Sequence, residues 1–241
     1  MLENINPEKI LFLDIETVPM TSHYEELPDP FKSLWDKKAG QLIRNDKSSD
    51  EEKKNPAEIF QRAGIYAEFG KIICISTGVL RNESLRIKSF YGDEESELLI
   101  EFSEMLLKAN EKRFQFLCAH NGKEFDYPYL IRRMLVNGVK IPSILNLSGK
   151  KPWEVNHFDT MELWKFGDYK NYTSLELLAA LFGITTPKDD IDGSDVAKVY
   201  WEEHDLPRIV TYCQKDVKTI VNLFLRFQGK PVIQENQVTY V

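Results

Sequence analysis

The chain is poor in cysteine: Cys74, Cys118 and Cys213 are all it carries among 241 residues. They lie far apart inside apolar segments, without the paired spacing of a disulfide frame or a zinc site. They therefore read as buried thiols in a reducing, cytoplasmic setting. No apolar run approaches the roughly 18 residues a membrane-spanning helix needs, so no membrane partner is expected. The start, Met1-Leu2-Glu3-Asn4, lacks the charged and apolar regions of a secretory signal. An excess of positive charge is missing too. The net charge of −7 argues against nonspecific coating of nucleic acid. It leaves room for a site that grips phosphates through metal ions, which must itself be rich in carboxylates. No internal repeat or clean linker interrupts the chain. With 42% hydrophobic residues it can bury an ample core, and one domain over residues 1–241 is expected.

Lys9–Val18 (KILFLDIETV) reads as a strand, and a long stretch of little strand character follows from Pro19 to about Phe69. Asp46–Asn55 is charged and nearly free of apolar residues, which predicts a flexible surface insert around residues 40–60, flanked by short helices at Pro30–Ala39 and Pro56–Gln61. Lys71–Leu80 and Ser84–Tyr91 predict a hairpin turning at Arg81-Asn82-Glu83. Asp93–Asn110 has helical periodicity. Gln115–Ala119 is a buried strand, and Asp126–Asn137 a helix that stops at Gly138. Val155–Asp159 predicts a further strand. A capping box over Thr173-Ser174-Leu175-Glu176 opens a helix through Leu181, ended by Gly183. Val196–Glu203 is a short helix. Leu206–Phe227 is a long one, with Ile209, Cys213, Val217, Ile220 and Phe224 on one face. Three strands followed by alternating helix and strand predict an α/β fold, a mixed sheet flanked by helices.

Three stretches carry chemistry. In the first strand, period-two geometry puts Asp14 and Glu16 on one face. Two carboxylates leaving a hydrophobic strand side by side are costly unless a positive charge offsets them, and a divalent cation is the simplest candidate. The alternative, a solvent-facing edge strand, fits poorly with Ile10, Phe12 and Leu13. The second stretch, Asn121-Gly122-Lys123-Glu124-Phe125-Asp126, lies where a strand gives way to a helix, the usual place for sites in open α/β sheets. There Asn121 could equally be a turn residue, and Asp126 a residue favoured by the helix dipole. In the third, Tyr212 and Asp216 stack one turn apart on the margin of the apolar stripe. Asp14, Glu16, Asp126 and Asp216 together could bind two hard cations through oxygen. Two metals about 4 Å apart clamp the attacking and leaving oxygens of an in-line phosphoryl displacement.

Asp14-x-Glu16, Asn121-x-x-x-Phe125-Asp126 and Tyr212-x-x-x-Asp216, in that order, resemble the three exonuclease motifs of the DEDD superfamily, tyrosine branch. The continuation through Tyr127-Pro128-Tyr129-Leu130-Ile131-Arg132-Arg133 is similar to the proofreading domain of family-B DNA polymerases. The whole is most similar to stand-alone bacterial proteins described as predicted 3′–5′ exonucleases related to that domain. The resemblance runs from Ile10 to about Phe227. It implies a ribonuclease H-like fold, two divalent cations (Mg²⁺ or Mn²⁺), and stepwise release of nucleoside monophosphates from a 3′ end; single-stranded or frayed 3′ ends of DNA are the expected partner. It implies that Asp14, Glu16 and Asp216 hold the first metal. Asp14 also touches the second, which Asp126 reaches directly or through water. Tyr212 orients the attacking water, Thr17 meets the terminal nucleotide, and Asn121 and Phe125 shape the pocket for the next one. A histidine-branch member would carry His where this chain has Thr211.

A nuclease that trims RNA or oligonucleotides would share this site. A non-catalytic nucleic-acid-binding module on the same scaffold is the reading from a different class. The sequence names no repair or replication partner. Tyr91-Gly92-Asp93 is rejected as a polymerase palm motif. Asp190-x-Asp192-Gly193-x-Asp195 lacks the glycine position and the twelfth-position Glu of a calcium loop. Ser148-Gly149-Lys150-Lys151 lacks the upstream glycine of a phosphate-binding loop. His23, His120, His157 and His204 have no metal-ligand spacing.

Overall fold

The computed structural model describes residues 2, 4–45, 55–109, 113–168, 172–185 and 191–241. Along the chain come β1 (Ile10–Pro19), α1 (Phe31–Asn45), β2 (Gly70–Arg81), β3 (Ser84–Tyr91), α2 (Glu95–Lys108) and β4 (Phe116–Ala119). They are followed by α3 (Asp126–Val136), β5 (Phe158–Asp159), α4 (Thr160–Lys165), α5 (Leu175–Leu181), α6 (Val196–Trp201), α7 (Leu206–Phe227) and β6 (Val238–Tyr240). One mixed sheet orders the strands β5-β4-β1-β2-β3-β6. β1 and β3 pair antiparallel with β2, while β4, β5 and β6 join in parallel. The expected α/β architecture is the one observed.

Most elements form where their local pattern places them, and the departures have physical reasons. The β2–β3 hairpin turns through Asn82 and Glu83, both at positive φ (46° and 61°). That two-residue geometry matches the twist of the flanking strands. Helix α1 runs six residues past the expected Ala39, because Leu42 and Ile43 continue its apolar stripe onto Trp35, Phe60 and Phe69. β5 is two residues long rather than five. Just before it the Leu117 amide donates to the His157 ring at 3.2 Å, so a side chain takes the bond a longer strand would have made. Ser174, not Thr173, caps α5, accepting from the Leu177 amide, while the Thr173 carbonyl is engaged by His120 Nε2. Most of the expected Asp46–Asn55 loop, residues 46–54, lies outside the described residues, as does Asp190.

The sheet separates two apolar layers. Leu11, Leu13 and Ile15 of β1 face α2 and α3, together with Phe90, Phe102, Tyr127 and Leu130. Ile10 and Phe12 face α7, packing on Val217, Ile220 and Phe224. Helix α7 reaches the sheet closely because Gly78, the cross-strand partner of Phe12, has no side chain. A Cβ there would lie 2.7 Å from Val217 Cγ1. On the other layer a buried ion pair ties α2 to α3. Arg133 donates to Glu95 through Nε (2.9 Å) and Nη2 (2.5 Å), and through Nη1 to the Ala67 carbonyl (2.8 Å). Glu95 also accepts from the Ile72 amide and from Asn137 Nδ2. Such a pair is a poor source of net stability, but losing one partner strands a buried charge. Here it fixes the helix that begins at Asp126.

Candidate active site

The face of β1 that carries Ile10 and Phe12 toward α7 carries Asp14 and Glu16 next, by the two-residue period of a strand. A register shift between Glu16 and Thr17 ends that regularity just beyond the carboxylates. Irregularities of this kind re-aim side chains beside functional sites. Opposite, the first turns of α7 present Tyr212, Cys213 and Asp216. Side-chain ligand atoms of Asp14, Glu16 and Cys213 all lie within 4.8 Å of one another. The Cys213 thiol donates to Asp14, 3.3 Å from Oδ2 and 3.5 Å from the backbone carbonyl oxygen. Tyr212 donates its phenol to Asp216 one turn on. Asp126, the first residue of α3, is buried, with its own amide and that of Ile15 near enough to its carboxylate to favour the charged form.

The electrostatics record this convergence. Burial, then the charges of Glu16, Asp216 and Asp126, hold the Asp14 carboxyl well above the usual range. Burial and the charge of Asp216 do the same to Glu16. Asp126 is pushed up to about 8, chiefly by burial, with Asp159 and Asp216 adding to it and the two nearby amides opposing. Burial and the surrounding acids also raise the Tyr212 phenol. Glu16 is only 8% exposed. Two buried carboxyls as close as Asp14 and Glu16 do not both ionise readily without a cation beside them. The donor set, hard carboxylate oxygens from one strand and two helices, suits divalent ions that prefer oxygen.

The remaining expected residues lie at or just beyond the C-terminal ends of the parallel strands β1 and β4. Thr17 is half-buried, its hydroxyl bonded to the Tyr129 phenol, which itself donates to the Gly64 carbonyl at 2.7 Å. Asn121 has φ 61°, and its amide donates to Asp159 Oδ1 at 2.9 Å. Phe125 is half-buried with its ring 5.4 Å from that of Tyr129. Gly122 permits the turn: a Cβ there would lie 2.4 Å from that of Ala119. Beside Asn121 opens a cavity of about 360 Å³, walled also by Lys123, Trp153, Asp159 and Lys165. A larger groove of about 1020 Å³, near Leu11, Arg81 and Arg86 at the far end of β1, holds none of the expected site residues. Thr211 is exposed, its hydroxyl bonded to the Pro207 carbonyl.

Two residues escaped the sequence reading. Asp159 accepts four backbone amides, from Asn121, Lys123, Met161 and Glu162. It thereby holds the Asn121 turn against β5 and caps α4. Its only sequence signal was a carboxylate at the end of a short strand. Cys213 gave none beyond its place on the apolar stripe, where it looks like core.

A mixed sheet whose central strand delivers paired acids to the start of a long helix places the protein among α/β, ribonuclease H-like exonuclease folds. Residues 65–236 match the family described as "predicted 3′–5′ exonuclease related to the exonuclease domain of PolB", and the chain belongs to that family. It is 26% identical over 129 residues to a DNA polymerase of Pyrococcus horikoshii, and 26% identical over 147 residues to a DNA polymerase of Pyrococcus glycovorans. These stretches cover 48% and 55% of the chain but only 10% and 18% of the polymerases. The structure of the family B DNA polymerase from Pyrobaculum calidifontis superposes over 90% of the chain and 24% of its own length, with a TM-score of 0.51 at 14% identity. Among the described residues no helix is long and apolar enough to cross a membrane.

Proposed function

We propose that this protein is a divalent-ion-dependent 3′–5′ exonuclease that removes nucleoside monophosphates one at a time from the 3′ ends of DNA. The observation that supports the reading is that ligand atoms of Asp14 and Glu16 of β1 lie within 4.8 Å of each other, with Asp216 of α7 and Asp126 of α3 near enough for their charges to raise both carboxyls. Asp14, Glu16 and Asp216 would hold one Mg²⁺ or Mn²⁺. Asp14 would share a second, with Asp126 reaching it directly or through water. When bound, the ions supply the acidity that makes water a nucleophile at neutral pH, and neutralise charge on the phosphate being cleaved. Tyr212, steadied by its bond to Asp216, orients the attacking water. Thr17, beside the carboxylates, meets the terminal nucleotide through its backbone or its hydroxyl. Asn121, in the turn fixed by Asp159, and Phe125 border the place of the next nucleotide, and the open cavity beside them accommodates a strand leaving the site.

The test is digestion of a 5′-labelled panel of single-stranded DNA, duplex DNA and RNA, with Mg²⁺, with Mn²⁺ and with chelator. A ladder shortening from the 3′ end of DNA, only with added ion, is expected. Faster shortening of RNA than of either DNA would reassign the substrate. Absence of cleavage on all three would remove the hydrolytic reading.

A further inference from the structure

Helix α2 covers only part of the sheet face it packs on. Leu98, Leu99, Phe102 and Leu106 cluster with Leu13 and Phe90. Toward the far ends of β2 and β3 the same face lies open as the groove of about 1020 Å³, walled on one side by the last turns of α2 and on the other by β6. The register decides which side chains look into it. Leu13 pairs with Thr77 and Thr77 with Lys88, so Thr77, Val79 and Arg81 of β2 share this face with Arg86 and Lys88 of β3. The alternate residues Leu85 and Ile87 are buried on the α7 side, while Arg81, Arg86 and Lys88 are exposed. Lys108 and Arg113 bring two more cations to the lining, against Glu101 and Glu104. Lys108 is held by Glu104 at 2.8 Å. The groove is positive in a chain whose net charge is −7. Arg86 and Lys88 are two strand residues apart, about 7 Å, and Arg81 lies on the diagonal from Arg86 at about 7–8 Å. Three cations in a row at that step match successive phosphates of an extended nucleotide chain.

We propose that this groove is a second nucleic-acid contact, which grips phosphates of the bound strand well back from the 3′ end that reaches the acids. Guanidinium forks pair with phosphate bidentately. The exposed hydroxyls of Ser84 and Thr239 line the same groove and suit phosphate oxygens too. Contacts of this kind hold a strand in place without reading its sequence. Groove and acids lie on opposite faces of the sheet: Leu11 lines the groove, while Asp14 and Glu16 face α7. Leu11 and Glu16 are five residues apart along β1, about 17 Å. A strand must be several nucleotides long to touch both, so long substrates gain a grip that short ones lack. The proposal rests on the proposed function in naming nucleic acid as the polyanion; the open face and its row of cations stand without it.

The experiment is fluorescence anisotropy of 5′-labelled thymidine oligonucleotides, one of about 20 residues and one of about 4, with the full chain in chelator from about 50 to 200 mM salt. The triple variant Arg81→Gln/Arg86→Gln/Lys88→Gln removes three phosphate contacts. Binding of the long oligonucleotide should weaken roughly 10-fold at low salt, and its log–log salt slope should flatten by about 2, at about 0.7 per single-strand phosphate. The short oligonucleotide should bind both proteins alike. A control, Lys37→Gln/Lys140→Gln/Lys198→Gln, removes three exposed charges elsewhere and should leave both affinities in place. An equal loss in the control, or an unchanged slope in the groove variant, overturns the proposal. Poly-L-glutamate that loses affinity for the groove variant while oligonucleotide binding stays unchanged also overturns it, and makes the groove a dock for an acidic protein. Anisotropy in chelator needs no cleavage: groove-dependent binding by a chain that cuts nothing supports the groove while defeating the hydrolytic reading. Cleavage with groove-independent binding does the reverse. Arg86→Gln alone, with the slope flattened by about 0.7, decides the point should the triple variant fail to fold.

Discussion

Replacing Asp14 by Asn should make the ion-free protein more stable, against the usual outcome of altering a buried polar residue. Ligand atoms of Asp14 and Glu16 are at most 4.8 Å apart. At an effective dielectric constant of about 20, two unit charges at that distance repel by about 3.5 kcal/mol. Part of this is avoided because both groups stay protonated to unusually high pH. The sign follows from those raised values. An acid whose folded pKa lies above its unfolded one contributes stability that is full below the unfolded value and lost as pH rises through the folded one. Without ions, the wild type should therefore lose stability from about pH 4 upward, with Asp126 carrying the loss to about pH 8. Asp14→Asn removes one charge from that set while keeping shape and an acceptor for Cys213. The expected gain is near zero at about pH 4 and below and on the order of 1–3 kcal/mol at about pH 8, or about 2–4 °C in Tm per kcal/mol. Adding Mn²⁺ should stabilise the wild type strongly and the variant little. Urea unfolding in chelator and in Mn²⁺ across this pH range reads both effects. A variant destabilised equally at every pH, and still stabilised by Mn²⁺, would show that Asp14 is a packing residue and refute the reasoning.

Tyr212→Phe should lower the cleavage rate by about 10²-fold, the scale of a positioned proton-handling group, while leaving Mn²⁺-induced stabilisation in place; loss of both together would make Tyr212 part of ion binding. Gly78→Ala should cost about 1–3 kcal/mol in urea unfolding and depress cleavage, because Val217 and α7 must move outward; wild-type stability would show that α7 has slack. Glu95→Ala should cost about 3–5 kcal/mol by leaving Arg133 buried and unpaired, and a loss under about 1 kcal/mol would show the pair to be solvated.

What could be read in the sequence was what is written in local period and spacing. Strand β1, the β2–β3 hairpin and the whole of α7 fall where alternation, turn residues and the three- and four-residue apolar steps put them. The same period-two argument that set Asp14 beside Glu16 also predicts that they follow Ile10 and Phe12 toward one layer. That this layer is α7 depends on Gly78 and Val217, a contact between residues 139 positions apart. Cys213 was read as inert core because its stripe position is a core position; only the approach of α7 to β1 brings its sulfur to Asp14. Asp159 was hidden in a strand of two residues, too short for any period, and its work is to bind amides 36–38 positions upstream. β6 is three residues long and pairs with β3 across more than 150 positions, which leaves no local mark.

The central claim, that these acids converge to hold cations, is tested most directly by counting bound Mn²⁺ with calorimetry and electron paramagnetic resonance, in the wild type and in Asp216→Ala. Two Mn²⁺ per chain in the wild type, close enough to couple magnetically, with the pair lost in the variant while its circular dichroism is unchanged, is the expected result. A wild type that binds no Mn²⁺, or a variant that binds the same pair with the same affinity, would contradict the account.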